Sequence, residues 1–208
     1  ANYLLVGAKE LGCDIFEVKD GKMTLNFDEQ VMRKLWDNYY VPYVKGYFAA
    51  SGRFRSDDVK TGNVIGYVGS TSSATFFPTQ VSDDSGASYD ISLKVLPCPK
   101  FKDGDDYAVQ QGAGMVVTKG SEEEILSKSV DEINNNNLYY MHAFEKGNDA
   151  RASLQEAFGD IAQQDRETVE ERISQGQSAE EAEAEFLTDE YFEQWYQNVL
   201  SELQAYEG

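Results

Sequence analysis

Lys60–Phe77, KTGNVIGYVGSTSSATFF, is the stretch whose reading decides the fold. Thr61 and Gly62 lead into Asn63–Val68, where Val64, Ile65, Tyr67 and Val68 are β-branched or aromatic and suit a buried, packed strand. Gly69 then permits a sharp turn, and Ser70, Thr71 and Ser72 either donate to something beyond the strand end or cap the first turn of a helix. Open α/β sheets bind ligands at the carboxyl ends of their strands, so the layout is that of a site. The plainer account of the same residues is an ordinary strand–turn–helix connection with a serine N-cap.

The rest of the chain sets limits on what that turn serves. At 208 residues it has room for one large domain or two small ones around a sizeable core. A hydrophobic share of 41% makes it globular, and 13 Tyr with 11 Phe against 2 Trp supply amphipathic aromatic contacts of the kind found on carbohydrate-facing surfaces as well as in cores. A net charge of -19 argues against nucleic acid and anionic membrane surfaces, both of which need clustered Lys and Arg. Much of that acidity follows Ser121, in helical-looking sequence, and reads as a solvated face. With His142 the only histidine and no CxxC, a His-rich metal site is excluded and a zinc site disfavoured. Cys13 and Cys98 can pair only if the fold brings their Cα atoms within about 7 Å, and two thiols is the preferred reading. No run approaches a membrane span, and ANYLLVGAKELG lacks the pattern of a signal peptide, so the chain reads as mature or as cut from something longer.

Working outward, Asn2–Leu11 reads as a buried helix stopped by Gly12. Asp14–Leu25 reads as two short strands joined through Asp20-Gly21. Asn26, with Glu29 at the capping-box position, begins a helix with Val31, Met32, Leu35, Trp36, Tyr39 and Tyr40 at helical spacing, ended by Pro42 and Gly46. The aromatic stripe of that helix is core rather than ligand box. Gly52–Asp58 is a loop and a short turn that Ser56 can cap; Arg53 and Arg55 reach either a ligand or, more commonly, an ion pair with Asp57 or Asp58. Val81–Ser88 reads as a polar loop. Tyr89–Pro99 and Ala108–Lys119 read as two strands crossing between sheets or lobes, and Gly112-Ala113-Gly114 is too sparse for a dinucleotide fingerprint. From Ser121 onward the pattern is helical throughout: capping boxes at Ser121/Glu124 and Ser178/Glu181, a polar break at Asn134–Asn137, helical spacing in Leu138–Phe144, a stop and fresh start at Lys146–Asp149, and a last helix over Asp189–Tyr206 whose apolar face packs on the part upstream.

The chemistry of catalysis is missing from this pattern. There is no GxSxG, HExxH or phosphate loop, and with 37 acidic residues the proximity of two carboxylates in sequence carries no weight. His142, beside Tyr140 and Met141, reads as a packing or surface residue. No enzyme is expected, and no cofactor.

The order of segments carries a resemblance. The DGK hairpin, the helix, GYFA-x-GRFRSDDVKTGNVIGYVGSTS, the strand with LPCPK, YAVQQGAGMVVTK, and the tail AFEKGNDARASLQEAF with TDEYFEQWYQNVLSEL together resemble the family 1 extracellular solute-binding proteins. These are the sugar-type receptors of ABC importers, especially lipoproteins of Gram-positive bacteria. The resemblance implies an α/β fold of the class II periplasmic-binding-protein kind. This chain corresponds mainly to the C-terminal lobe, a single lobe with a small mixed sheet flanked by helices: residues 1–119 form its α/β part with hinge-like strands, and residues 120–208 an all-helical part packed on it. It also implies a missing N-terminal lobe, a membrane permease as partner, an extracellular cell-surface location and a lipid anchor outside this chain. Where the family usually continues into a helix resembling FLKWFT, Gly120-Ser121 leads directly into EEEILSKSVDEI, and either an engineered joint or a natural deletion accounts for that.

Carried over residue by residue, the resemblance places a mono- or oligosaccharide near Asn2 and Tyr3, the turn Gly69, Ser70, Thr71 and Ser72, Phe76, and Arg151. Thr71 stands where sugar receptors of the family often place a stacking aromatic residue, and Phe76, Tyr47 or the other lobe then has to supply the stack. Two other readings remain. One is a cell-surface interaction module using the aromatic and acidic face of Asp189–Tyr206; the other is a glycan-processing enzyme with carboxylates that no motif marks.

Overall fold

A computed structural model describes residues 1–48, 55–62, 64–82, 85–109, 127, 130–131 and 133–208, with the side chains of residues 55 and 56 left out. Two compact units emerge, one of residues 1–48, 100–110 and 138–208, the other of residues 49–99 and 111–137. The chain passes between them four times, after Phe48, Pro99, Gln110 and Asn137. The single lobe divided at residue 119 is thus replaced by two interleaved units.

The first unit is built on helix packing. Helix α1 (Asn2–Glu10) lies against α2 (Glu29–Val44), and the approach is close at Gly7, where an added Cβ would sit 2.5 Å from Leu35 Cδ2. Between them the antiparallel hairpin β1 (Phe16–Lys19) and β2 (Lys22–Leu25) turns on Asp20 and Gly21, both at positive φ as a type I′ turn requires. Asp28, not Asn26, caps α2 by accepting from the Val31 amide, because it immediately precedes the first helical residue. Pro42 falls inside the last turn, and the helix ends before Gly46 at φ 77°.

Helix α4 (Gly147–Ser174) runs unbroken from the fresh start expected at Lys146–Asp149. It buries Ala150, Leu154, Phe158, Ala162, Asp165 and Val169, a three- and four-residue spacing that makes one face. After a turn at Gly176, Ser178 and Glu181 form the expected capping box of α5 (Ala179–Glu183), a single 3₁₀ turn follows over Ala184–Leu187, and Thr188 caps α6 (Asp189–Gln204). Helices α2, α4 and α6 enclose an aromatic core around Trp36, which is 1% exposed and whose ring meets those of Tyr40, Phe158, Phe192 and Trp195. The apolar face of α6 is spent here: Phe192, Trp195, Tyr196, Val199 and Leu203 are all buried, Trp195 donates to the Ala157 carbonyl, and Tyr196 donates to that of Phe27.

The helical reading of Leu138–Phe144 is overturned. Asn137–Tyr139 is strand β6, paired with β5 (Tyr107–Val109), and residues 140–146 are irregular. A short apolar run fits helix or strand alike, and here a neighbouring strand claims it. The alternation agrees, since Tyr139 and Met141 pack on the core while Leu138, Tyr140 and His142 face solvent.

The second unit, among its described residues, is lightly cored. Helix α3 (Arg55–Lys60) packs on an antiparallel hairpin of β3 (Gln80–Ser82) and β4 (Ser88–Asp90), with Val59 and Val81 buried. The polar loop expected over Val81–Ser88 is therefore shorter, since both its ends lie in strands. The buried strand expected at Asn63–Val68 is not there. Its described residues 64–68 are irregular, with Ile65 fully exposed and Val68 67% exposed. A strand is held by ladder hydrogen bonds to a neighbour, and among the described residues no strand pairs with these. Beyond Asp90 the strand expected up to Pro99 is likewise irregular. Among the described residues, three separate two-stranded sheets stand in place of one small mixed sheet, and β6 breaks the all-helical tail. The Ser121/Glu124 capping box, the Gly112–Gly114 run, the Gly120-Ser121 joint and Arg53 lie outside the described residues.

Candidate ligand-binding site

Two groups of the expected residues can be located, one in each unit. In the second unit, Gly69 is closely approached: an added Cβ would sit 2.8 Å from the Tyr67 ring and 3.1 Å from Ser73 Oγ, side-chain atoms that would have to give way. That crowding arises because the Tyr67 hydroxyl reaches over the turn to donate to the Ser73 carbonyl, while its ring stacks on Phe77 at 6.1 Å and 11°. Ser70 holds extended backbone and precedes a 3₁₀ turn, Thr71–Phe76, closed by Ser73 N–H to the Ser70 carbonyl. The helix-capping alternative is met in position only, because no side chain caps the turn.

What the turn presents is a cluster of hydroxyls. Ser70 Oγ lies 2.8 Å from Ser72 Oγ and 3.2 Å from Ser73 Oγ, and Gly69, Ser70, Thr71 and Ser72 are all exposed. Serine hydroxyls both donate and accept, so the cluster can match a neutral, hydroxyl-bearing ligand and offers no fixed charge to an anion. Phe76, at the far end of the turn, is 68% exposed.

In the first unit, Asn2 and Arg151 come together. Arg151, on the first turns of α4, donates through Nη2 to Asn2 Oδ1 at 2.6 Å, and both are half-buried. Burial pushes the nearby Tyr139 hydroxyl up to about 12, with the Asp14 carboxylate adding to the shift and Arg151 opposing it. Tyr3 has a different role. Its hydroxyl donates to the Leu35 carbonyl at 2.8 Å and accepts from Asn38, and its ring lies 4.9 Å from that of Tyr39. With both polar valences used inside the unit, Tyr3 braces α1 on α2, and burial raises its hydroxyl well above the ordinary phenol range.

Other residues singled out by sequence take structural places. Lys60 pairs with Asp57 at 2.9 Å, and the His142 ring sits edge-on to exposed Tyr140 at 5.1 Å. Cys13 is a buried thiol pushed up by burial, its Sγ 3.2 Å from the Asn26 carbonyl, and Cys98 is an exposed thiol. Among the described residues no three His, Cys, Asp or Glu side chains gather as metal ligands. The best-formed depression, about 340 Å³, is a shallow one between α2 and α6 lined by Glu29, Gln30, Arg33, Asp189 and Glu193 over Phe192. Its arginine is already committed, to Asp37 at 2.9 Å, to Asp189 at 2.6 Å and to the Phe192 ring at 5.0 Å. No helix among the described residues is long and apolar enough to cross a membrane.

Sequence reasoning missed one group. Asp165, 7% exposed, accepts hydrogen bonds from the hydroxyls of Tyr40 on α2 and Tyr191 on α6, the latter at 2.7 Å. The signal was present: Asp165 interrupts the apolar spacing Phe158, Ala162, Val169, and an acid on such a stripe needs partners. No family model matches the chain, and neither a curated protein nor a solved structure matches it.

Proposed function

We propose that this chain is a ligand-binding lobe of a family 1 extracellular solute-binding protein, with the class II periplasmic-binding-protein fold, taking a mono- or oligosaccharide for an ABC importer. It is a receptor and not an enzyme. Its partners are the solute, the missing N-terminal lobe and a membrane permease, and its setting is the cell surface, on a lipid anchor carried elsewhere in the protein.

The observation that carries this reading is the Gly69–Ser72 turn. Its glycine is closely approached, its hydroxyls are gathered and exposed, and exposed Phe76 ends the 3₁₀ turn that it opens. Hydroxyl donors next to an apolar face are what a sugar asks of a site, because each pyranose presents both. The Asn2–Arg151 pair is a separate polar group, in the first unit, that the resemblance also assigns to the ligand. The interaction-module reading has less support, because the aromatic side chains of α6 that it needs are buried within the first unit.

The test is to titrate the chain with a panel of neutral mono- and oligosaccharides at millimolar concentration, since half a cleft binds weakly. Saturable binding that falls by about two- to tenfold for Ser70→Ala is expected, one neutral hydrogen bond being worth about 0.5–1.5 kcal/mol. Turnover of a labelled oligosaccharide, or binding indifferent to Ser70→Ala, Thr71→Ala and Arg151→Ala together, would overturn it.

A further inference from the structure

The Asp165 cluster is independent of the sugar reading. Three helices meet at one carboxyl: α4 supplies Asp165, α2 supplies Tyr40 and α6 supplies Tyr191, residues separated by 125 and 26 positions in the chain. Both hydroxyls converge on the same oxygen, Oδ2. The two phenol rings themselves lie 6.3 Å apart at 25°.

Every charged neighbour of this carboxyl is either turned away or of the same sign. Arg166, the next residue on α4, donates to the Val44 carbonyl at 3.0 Å and to Glu170 at 2.8 Å, capping the end of α2. Glu185, in the 3₁₀ turn before α6, bears on Asp165 with like charge, and its own ion-pair partner is Arg172 on α4. From α2 and α6 the titratable groups facing Asp165 are the two tyrosines. The carboxyl is thus buried with two neutral donors and no cation paired to it in the cluster, an arrangement in which the charged form bears the desolvation cost.

We propose that Asp165, Tyr40 and Tyr191 form a proton-sensitive latch that holds α2 and α6 onto α4 more tightly when the carboxyl carries its proton. Burial raises the Asp165 carboxyl above its ordinary range, while the hydrogen bonds from Tyr40 and Tyr191 work against the shift. A carboxyl whose folded-state pKa is raised binds its proton more strongly in the folded chain. Its contribution to stability is therefore complete below the unfolded carboxylate range, about 3.9, and is lost as pH rises through the folded value. Each pH unit of separation between the two is about a tenfold loss in the folding equilibrium constant.

The experiment follows the Asp165 carboxyl by carbon-13 NMR in the full chain and compares unfolding midpoints of the wild type and Asp165→Asn across the acid-to-neutral range. The carboxyl is expected to titrate above the ordinary Asp range. The wild type is expected to lose stability relative to Asp165→Asn over the same interval, and Tyr191→Phe, by removing a donor that favours the anion, to move the titration to higher pH. Amide exchange at the end of α2 and the start of α6 should quicken across that interval in the wild type and not in Asp165→Asn. Titration at or below the ordinary range, or a downward move in Tyr191→Phe, overturns the latch even if Asp165→Asn fails to fold. Parallel pH profiles of wild type and Asp165→Asn overturn it as well.

Discussion

Residues 29–44 and residues 64–77 are both rich in aromatic and β-branched side chains, and the structure treats them in opposite ways. In α2 of the first unit, Met32, Leu35, Trp36, Tyr40 and Val44 are buried to within 1%. In the second unit, Ile65, Val68 and Phe76 are each at least two-thirds exposed. The difference is one of who supplies the partner. A helix closes its own backbone hydrogen bonds and needs only another apolar face, which α4 and α6 provide. An extended segment closes none of its own and stays in solvent until a strand or a ligand comes to it. An apolar composition therefore marks what a segment can bury, and its neighbours decide whether it does.

The sharpest way to break this comparison is to remove its central ring. Trp36→Ala should cost about 3–5 kcal/mol in denaturant unfolding of the first unit, as expected for a large aromatic truncated in a closed core. Less than about 1 kcal/mol would mean that the ring stack is not what holds α2, α4 and α6 together.

Next in size is Gly7→Ala. The new Cβ would meet the buried Leu35 side chain at 2.5 Å, so a loss of about 1–3 kcal/mol is expected from overpacking, against the gain that alanine brings to an unhindered helix. A raised melting temperature would show that α1 and α2 are free to part at that point. Smaller again, Ser178→Ala removes the hydroxyl that accepts from the Glu181 amide and should cost about 1 kcal/mol. The same variant should leave the second unit unaffected by hydrogen exchange. At the foot of the scale, Ile65→Ser and Phe76→Ser should each change stability by under about 0.5 kcal/mol, because neither side chain loses buried area. A loss of 2 kcal/mol at either position would mean that the 64–77 segment is packed, and would remove the contrast.

The sequence made the first unit legible wherever periodicity and punctuation agreed. The Asp20-Gly21 hairpin, α1, the stripe of α2, the Ser178 capping box and the apolar face of α6 follow from local rules that need no knowledge of the rest of the chain. The misreadings share one cause. Leu138–Phe144 reads as helix from its spacing and Asn63–Val68 as strand from its residue types, but a strand is a pair, and its partner is found only in three dimensions. β5 claims the first, and no described strand claims the second. The residues expected to bind divide in the same way: Asn2 with Arg151, and Ser70 with Ser72, lie together, whereas Tyr3 is drawn into the packing of α1 on α2 by Leu35 and Asn38, which no motif marks. Asp165 could have been found from its place on an apolar stripe, though not its partners, which come from helices far away in sequence.

The proposed function rests on the Gly69–Ser72 turn meeting a sugar, and residue-resolved amide shifts test that most directly. With the chain labelled in nitrogen-15 and titrated with the panel of neutral saccharides, the account predicts saturable shifts at Gly69, Ser70, Thr71, Ser72 and Phe76, while the Trp36 core stays still. Saturable shifts confined to other surfaces, or none at any saccharide of the panel, would contradict it.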